Sequence, residues 1–379
     1  MKPDGRVDDS VSEVTGRHDT QEVSAQAWVR DRVPTDRVHL DVAGAGRVST
    51  QVLATQVDHL REEAAVGAYV AEAAAKPRLD EGRDALGALV GLSGIDVFFT
   101  DGASTAFATV LDAWPLPEGA RIGTVGSEFA SNALLLSRRA RAAGWHLVEL
   151  PVDGRGHVSA VPDGLDLLAL PMVPSQLGIT QPVAELIASG VPLVLDVAQA
   201  AGQVDVPPGA AAYVGTSRKW LCGPRGVGFG AVAPVWHDRL TAPAAINALD
   251  TTGITRFDSA DPHVAGRLGL SLAARSWSPA LLPLIHAASA AARVLLDGAG
   301  GWEVVEPVDD ATGITTLRHP TADPVVTRAA LVDRGFVLAA VPVTRSADLT
   351  APRLRVSTAA WVTPGDLEAL ATALDEVSR

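Results

Sequence analysis

The chain has 379 residues, 47% of them hydrophobic and 20% charged, the balance of a globular protein with a large core rather than of a disordered one. Its net charge of −13 argues against nucleic acid or an anionic membrane as a partner. A single cysteine, Cys222, excludes a disulfide framework and any cysteine-based metal centre, and the nine histidines show no paired ligand spacing, so no metal is expected.

Residues 1–22 are polar and charged and lack the apolar core of a signal peptide. A disordered tail is expected there, with the cytoplasm as the default compartment. From about residue 95, short apolar runs alternate with helical patterns. "DVFFT" (Asp96 to Thr100) reads as a strand and "GASTAFATVLDAW" as the helix after it; "RIGTV" and "FASNALLLSRRARAAG" repeat the pair. The runs "HLVEL", "LDLLALPMV", "VPLVLDVA", "AAYVGTS" and "GVGFGAVA" follow. Runs apolar through both faces predict strands covered by helices on both sides, hence an α/β fold with a mostly parallel sheet over residues 39–265. A long helical stretch from about Arg267 to Asp297 opens a smaller α+β part, residues 266–379, and residues 23–38 are expected to pack near it. No run reaches the ~18 apolar residues of a bilayer span. The nearest, Ala280 to Leu296, carries Pro283, His286 and Arg293 and reads as a core-facing helix.

The densest punctuation is "GTSRKWLCGPRGVGFG", Gly215 to Gly230. A phosphate loop would put the lysine after the glycines, and a dinucleotide fingerprint would open a helix; neither template fits. Taken alone, the stretch reads as a tight turn with a glycine-rich strand. Its company says more. "PLVLDVAQAAGQ" delivers Asp196 at a strand's carboxyl end, with Gln199 one turn later, and "YVGTS" delivers another strand end just before Arg218 and Lys219. Ligands of open α/β sheets bind outside the carboxyl ends of the strands. A lysine able to form a Schiff base, with a carboxylate to hold a pyridine nitrogen protonated, is the set an aldehyde cofactor needs.

These motifs, in this order, resemble the aminotransferase class V family of fold-type I pyridoxal-phosphate enzymes, which includes the cysteine desulfurases. The resemblance covers most of residues 39–370. It implies a large domain with a mostly parallel seven-stranded sheet, a smaller C-terminal domain, pyridoxal 5'-phosphate as cofactor, a small-molecule substrate and a homodimer. It implies Lys219 as the Schiff-base lysine and Asp196 on the ring nitrogen. Gln199 and Ser175 fall to the ring hydroxyl, and Phe129 to the ring face. Gly102, Ala103, Ser104, Thr216 and Arg218 would hold the phosphate, and Arg355 the substrate carboxylate.

The departures carry information. Phe129 stands where desulfurases have a histidine, and Ser175 where an asparagine is usual. Arg218 replaces a histidine, and Ala260 and Asp261 replace a pair that reaches the neighbouring subunit's phosphate. A desulfurase also needs a mobile thiolate before the C-terminal arginine, and "VLAAVPVTRSADLTAPRLR" has none. The family without its thiol commonly does lyase or epimerase chemistry. Within it, "LDVAGAG", "GSEFASN", "TSRKWLCGPRGVGF" and "FDSADPHVAGRLGL" resemble the β-lyases of ergothioneine biosynthesis. That implies C–S cleavage of a cysteine S-conjugate sulfoxide, hercynylcysteine sulfoxide, to a sulfenic acid, pyruvate and ammonia. A desulfurase or selenocysteine lyase, an aminotransferase, or a non-catalytic relative are the alternatives. For the substrate's quaternary ammonium, Tyr69, Phe107, Trp28 and Trp361 are the aromatic candidates by position.

Overall fold

The computed structural model describes residues 25–243 and 253–378; the tail expected over 1–22 lies outside them. A two-residue strand β1 (Val38–His39) leads to two long helices, α1 (Thr50–Val66) and α2 (Ala68–Leu89). Then come β2 (Val97–Thr100), α3 (Ala103–Ala113), β3 (Arg121–Thr124), α4 (Ala130–Ala143), β4 (His146–Glu149) and β5 (Leu167–Pro171). α5 (Val183–Ala188), β6 (Leu193–Asp196), β7 (Ala212–Thr216) and β8 (Gly228–Val232) complete this part. Its seven strands form one sheet in the order β2-β8-β7-β6-β5-β3-β4. β8 runs antiparallel to both neighbours, and the remaining pairs are parallel.

Strand alternation explains the layering, since successive side chains point to opposite faces. Phe98, Leu167, Ala169, Val194 and Val214 face one core, with Phe107, Val110 and Leu111 of α3 and Leu136 of α4. Phe99, Leu168, Leu170, Leu195 and Tyr213 face the other, against Leu79 and Leu86 of α2 and Leu268 of a later helix. Both faces are thus covered, as the unbroken apolar runs require. β4, at one edge of the sheet, is the exception: three of its four residues are exposed, whereas β2 at the other edge is buried.

The expected long helix is two helices, α6 (Val264–Ser276) and α7 (Leu282–Leu296). The break falls at Trp277 and Ser278, where the Ser278 hydroxyl accepts from the Ala280 amide and Pro279 has no N–H to continue the first helix. By length and composition Pro279–Leu296 could cross a membrane. Here the stripe Leu282, Ile285, Ala288, Ala292 and Leu296 is buried, and α7 packs on the final helix and the small sheet.

The C-terminal part continues with β9 (Glu303–Val304), β10 (Ile314–Arg318), α8 (Pro324–Asp333), β11 (Phe336–Val337), β12 (Ala339–Val341), β13 (Arg353–Ser357) and α9 (Pro364–Val377). β12-β13-β10-β9 form an antiparallel sheet. The chain's opening segment joins it. β1 pairs with β11, Asp41 bridges to Ser357, and the Ser357 amide donates to the Leu40 carbonyl at 2.8 Å. This stitching brings residues 40–46 and 353–357 to the same place, beside the carboxyl ends of the large sheet.

Candidate active site

Strands β5, β6 and β7 end side by side: Pro171 is in register with Asp196, and Asp196 with Val214. Outside these ends lies a cavity of about 480 Å³. Gly102, Ala103, Ser104, Phe129, Ser175 and Asp196 line it, together with Gln199, Thr216, Arg218, Lys219 and Arg355. The structure therefore gathers every sequence-predicted site residue except the aromatic candidates Tyr69, Phe107, Trp28 and Trp361.

At one end, Gly102 caps α3 without a side-chain bond, and the first residues of that helix face the cavity. Their amides have no partners within the helix, so they form an anion site next to the Thr216 hydroxyl. Gly228 makes this possible. It is in register with both Thr100 and Thr216, and a Cβ there would lie 2.5 Å from the Gly102 carbonyl carbon. Gly228 thus serves close packing against this helix start.

The floor is a buried polar chain. Asp196 accepts from the Ala198 amide (2.7 Å) and from Asn132 Nδ2 (2.9 Å), and Asn132 also donates to Glu128 Oε1 at 3.1 Å. Burial raises the affinity of both carboxyls for protons, and the charge of Asp196 raises that of Glu128 further. Lys219 stabilises the charge on Asp196, so Glu128 is the member that holds a proton and Asp196 the ionised one. Glu128 and Asn132 went unread in the sequence; their spacing of four, across the first turn of α4, was the available signal.

Lys219 sits on a turn pinned from behind by Gly46, whose amide donates to the Arg218 carbonyl at 2.7 Å. A Cβ on Gly46 would lie 2.6 Å from both the Lys219 carbonyl and Cys222 Sγ. Burial pulls the Lys219 amine down to about 7, against Asp196, which raises it; Arg218, Arg355 and Arg345 lower it further. An amine so placed is about half neutral, and so nucleophilic, at neutral pH. Gln199 donates to the Ala43 carbonyl (3.0 Å) and accepts from Trp220 Nε1 (2.9 Å), which fixes its orientation in the cavity wall.

The rim is cationic. Arg355 donates to the Ser175 carbonyl (2.8 Å) and to Asp41 Oδ1 (2.9 Å), while its buried Nε has no partner. Arg345 also lines the cavity, its guanidinium 5.6 Å from the centre of the Phe129 ring. Asp41 and Arg345 were not among the predicted residues.

The predicted aromatic cage does not form. Tyr69 is 89% exposed, because α2 buries the stripe Ala71, Ala75, Leu79, Gly82 and Leu86 on another face. Phe107 is sealed in the core. Trp28 and Trp361 stack on each other, with centroids 5.8 Å apart, and the Arg32 guanidinium already lies 4.1 Å from the Trp28 ring centre.

The residues fit pyridoxal phosphate. One cavity gathers an uncapped helix start that would hold a phosphate, a buried carboxylate that would keep a pyridine nitrogen protonated, and an amine of lowered proton affinity that would form the Schiff base. Comparison with known proteins agrees. Residues 38–281 match the family aminotransferase class-V. The chain is 37% identical over 370 residues, 92% of its own length and 92% of the relative's, to a probable hercynylcysteine sulfoxide lyase from Mycobacterium tuberculosis (strain CDC 1551 / Oshkosh). Its fold is similar to that of the Escherichia coli cysteine desulfurase CsdA, with a TM-score of 0.82, 16% identity, and 93% of this chain and 98% of that one covered. The cystine C–S lyase C-DES, solved with cysteine persulfide, gives a TM-score of 0.77 at 18% identity, covering 90% and 98%. The chain belongs to the aminotransferase class V family and is a pyridoxal-phosphate enzyme of fold type I.

Proposed function

We propose that the enzyme is a carbon–sulfur lyase that eliminates the β-substituent of a cysteine S-conjugate sulfoxide, with hercynylcysteine sulfoxide as substrate. The products would be the sulfenic acid of ergothioneine, pyruvate and ammonia. The observation that carries this reading is the place of the only thiol. Cys222 is buried behind Lys219, its thiol pushed up to about 11 by burial, and the segment before Arg355 holds no cysteine. The sulfoxide lyase relative supports the choice of substrate.

The bound cofactor supplies an electron sink for charge developing at Cα. The chain's residues do the rest. Arg355 receives the substrate's α-carboxylate, taking it in place of Asp41. Lys219, once free, removes the Cα proton; Phe129 can stack but cannot exchange protons. Asp196, held by Asn132 and the Ala198 amide, keeps the ring nitrogen protonated. The sulfur then leaves Cβ with the bonding pair. 2-Aminoacrylate departs and hydrolyses to pyruvate and ammonia. The reading includes a homodimer, supported by the exposed apolar residues Leu53, Leu60, Val66, Tyr69 and Val70 along α1 and α2.

The test is pyruvate release across a panel of cysteine S-conjugates and their S-oxides, with free cysteine as a control. Preference for the S-oxides, with no sulfide from cysteine, supports the reading. Sulfide release from cysteine without pyruvate from the conjugates would replace it with a desulfurase.

A further inference from the structure

We propose that Arg345 is a specificity-determining residue: it receives the S-oxide oxygen of the substrate and stabilises the negative charge that collects there as the C–S bond breaks. This rests on the reading of the site as a sulfoxide lyase.

The cavity carries three guanidiniums with different engagements. Arg355 is tied to Asp41 and Ser175. Arg218, whose guanidinium makes no ion pair or hydrogen bond among the described residues, directly precedes Lys219 and is the one that the family resemblance assigns to the phosphate. Arg345 remains. Among the described residues its guanidinium likewise makes no ion pair and no hydrogen bond; the Asp41 carboxylate acts on it only through its charge, and the Phe129 ring lies 5.6 Å away. Its nearest acid in sequence, Asp348, is taken by Ser346 (2.5 Å) and Gln176 (3.1 Å).

Arg345 is also held in place. β12 begins beside the carboxylate-binding arginine, Ala339 being in register with Arg355 of β13, and the turn that carries Arg345 leaves it at Val341, opposite Arg353. The amides of Ala347 and Asp348 both donate to the Gly126 carbonyl, at 3.0 and 3.1 Å. Gln176 Nε2 ties Asp348 and the Ser127 carbonyl together. The turn is therefore anchored on the segment that carries Phe129. A substrate whose α-carboxylate lies on Arg355 extends its Cβ–S bond along this rim, where the next available donor is Arg345.

The step balances without a redox partner. The Cα proton passes to Lys219, the Cβ–S pair leaves with sulfur, and R–S(O)–CH2– becomes a sulfenate that takes up one proton to give R–SOH. Negative charge builds on the S–O unit in the transition state, which is where a pre-placed cation in a partly dry site is most effective.

Arg345→Met and Arg345→Lys are compared with the wild type on S-phenylcysteine S-oxide and S-phenylcysteine, a pair that differs only in the oxygen and has no second carboxylate. A lost charge-assisted hydrogen bond predicts that Arg345→Met lowers kcat/KM for the S-oxide about 10- to 100-fold. The thioether should change less than about threefold, and Arg345→Lys should recover part of the loss. Calorimetry with benzenesulfinate, an anion shaped like the leaving group, should show about tenfold weaker binding to Arg345→Met. Equal losses on both substrates would make Arg345 a second grip on the α-carboxylate and overturn the proposal. An unchanged S-oxide preference or unchanged sulfinate binding would overturn it too. A wild type inert to S-oxides would instead remove the lyase reading, and this inference with it.

Discussion

The floor and the rim of the cavity are built on opposite principles. The floor, Asp196–Asn132–Glu128, comes from the large sheet and its first helix turns, is fully buried, and has its charge fixed by hydrogen bonds. The rim, Asp41, Arg345 and Arg355, comes from the chain's opening segment and its C-terminal sheet. A floor of this kind suits chemistry common to the family, since it faces a cofactor that does not change. A rim suits substrate choice, since it can be rebuilt without touching the strand ends. The comparison predicts that floor variants lose turnover with every substrate, whereas rim variants change preference or KM.

The largest effect is expected at the lysine that spans both. Lys219→Ala should reduce turnover by about 10⁴-fold or more, because acid–base work and cofactor attachment are lost together. It should also remove the visible absorbance of the purified protein. In the unmodified apoprotein, an amine lowered to about 7 predicts that the rate of cofactor uptake rises as pH climbs through about 7 and then levels off, which stopped-flow absorbance would follow. The floor comes next. Asn132→Ala takes a donor from ionised Asp196 and should cost about 10- to 100-fold in kcat on all substrates alike. Glu128→Gln mimics the protonated acid and should stay within about threefold. Its signature is in stability instead. Glu128 binds its proton more tightly folded than unfolded, so its contribution is complete below the ordinary carboxyl value of 4.5 and is lost as pH rises towards the raised folded value. Melting temperature should therefore fall more steeply with rising pH in the wild type than in Glu128→Gln. Parallel curves would mean that Glu128 is ionised in the native state.

The rim should respond in KM. Asp41 occupies the Arg355 fork that the substrate carboxylate must take. Asp41→Asn keeps the shape and removes the competing charge, so KM should fall several-fold for all conjugates while kcat changes little; the pair is partly exposed and worth about 1 kcal/mol or less. A raised KM would show that Asp41 orients Arg355 rather than masking it.

The two regions also differed in how far they could be read from sequence. The α/β class, the seven strands and the main site residues were legible because each motif is local: a strand end, then Asp-x-x-Gln; a strand end, then Arg218 and Lys219. The rim pair Asp41–Arg355 joins residues 314 apart, a contact no local pattern encodes. The aromatic cage failed for a different reason. Proximity was judged from position in the chain, whereas helix face decides: Tyr69 is off the buried stripe of α2, and Phe107 is on that of α3. Trp28 and Trp361 were already committed to each other and to Arg32.

The smallest expected effect is at the chain's one cysteine. Cys222 lies three residues beyond Lys219, in the left-handed region at φ 56°, with its sulfur packed against Gly46. Burial raises its thiol to about 11, with Arg32 opposing the shift, so the thiolate is scarce at neutral pH. A buried, protonated sulfur behind the lysine's backbone cannot swing onto a substrate bound at Arg355. Cys222→Ala should therefore leave pyruvate release from S-oxides within about twofold, with a stability loss of about 1 kcal/mol from the small void. Removing a desulfurase's reactive thiol, by contrast, would abolish sulfur transfer. A loss of more than tenfold in Cys222→Ala, with the melting temperature preserved, would make the thiol a participant and move the enzyme back among the persulfide-forming members of its family.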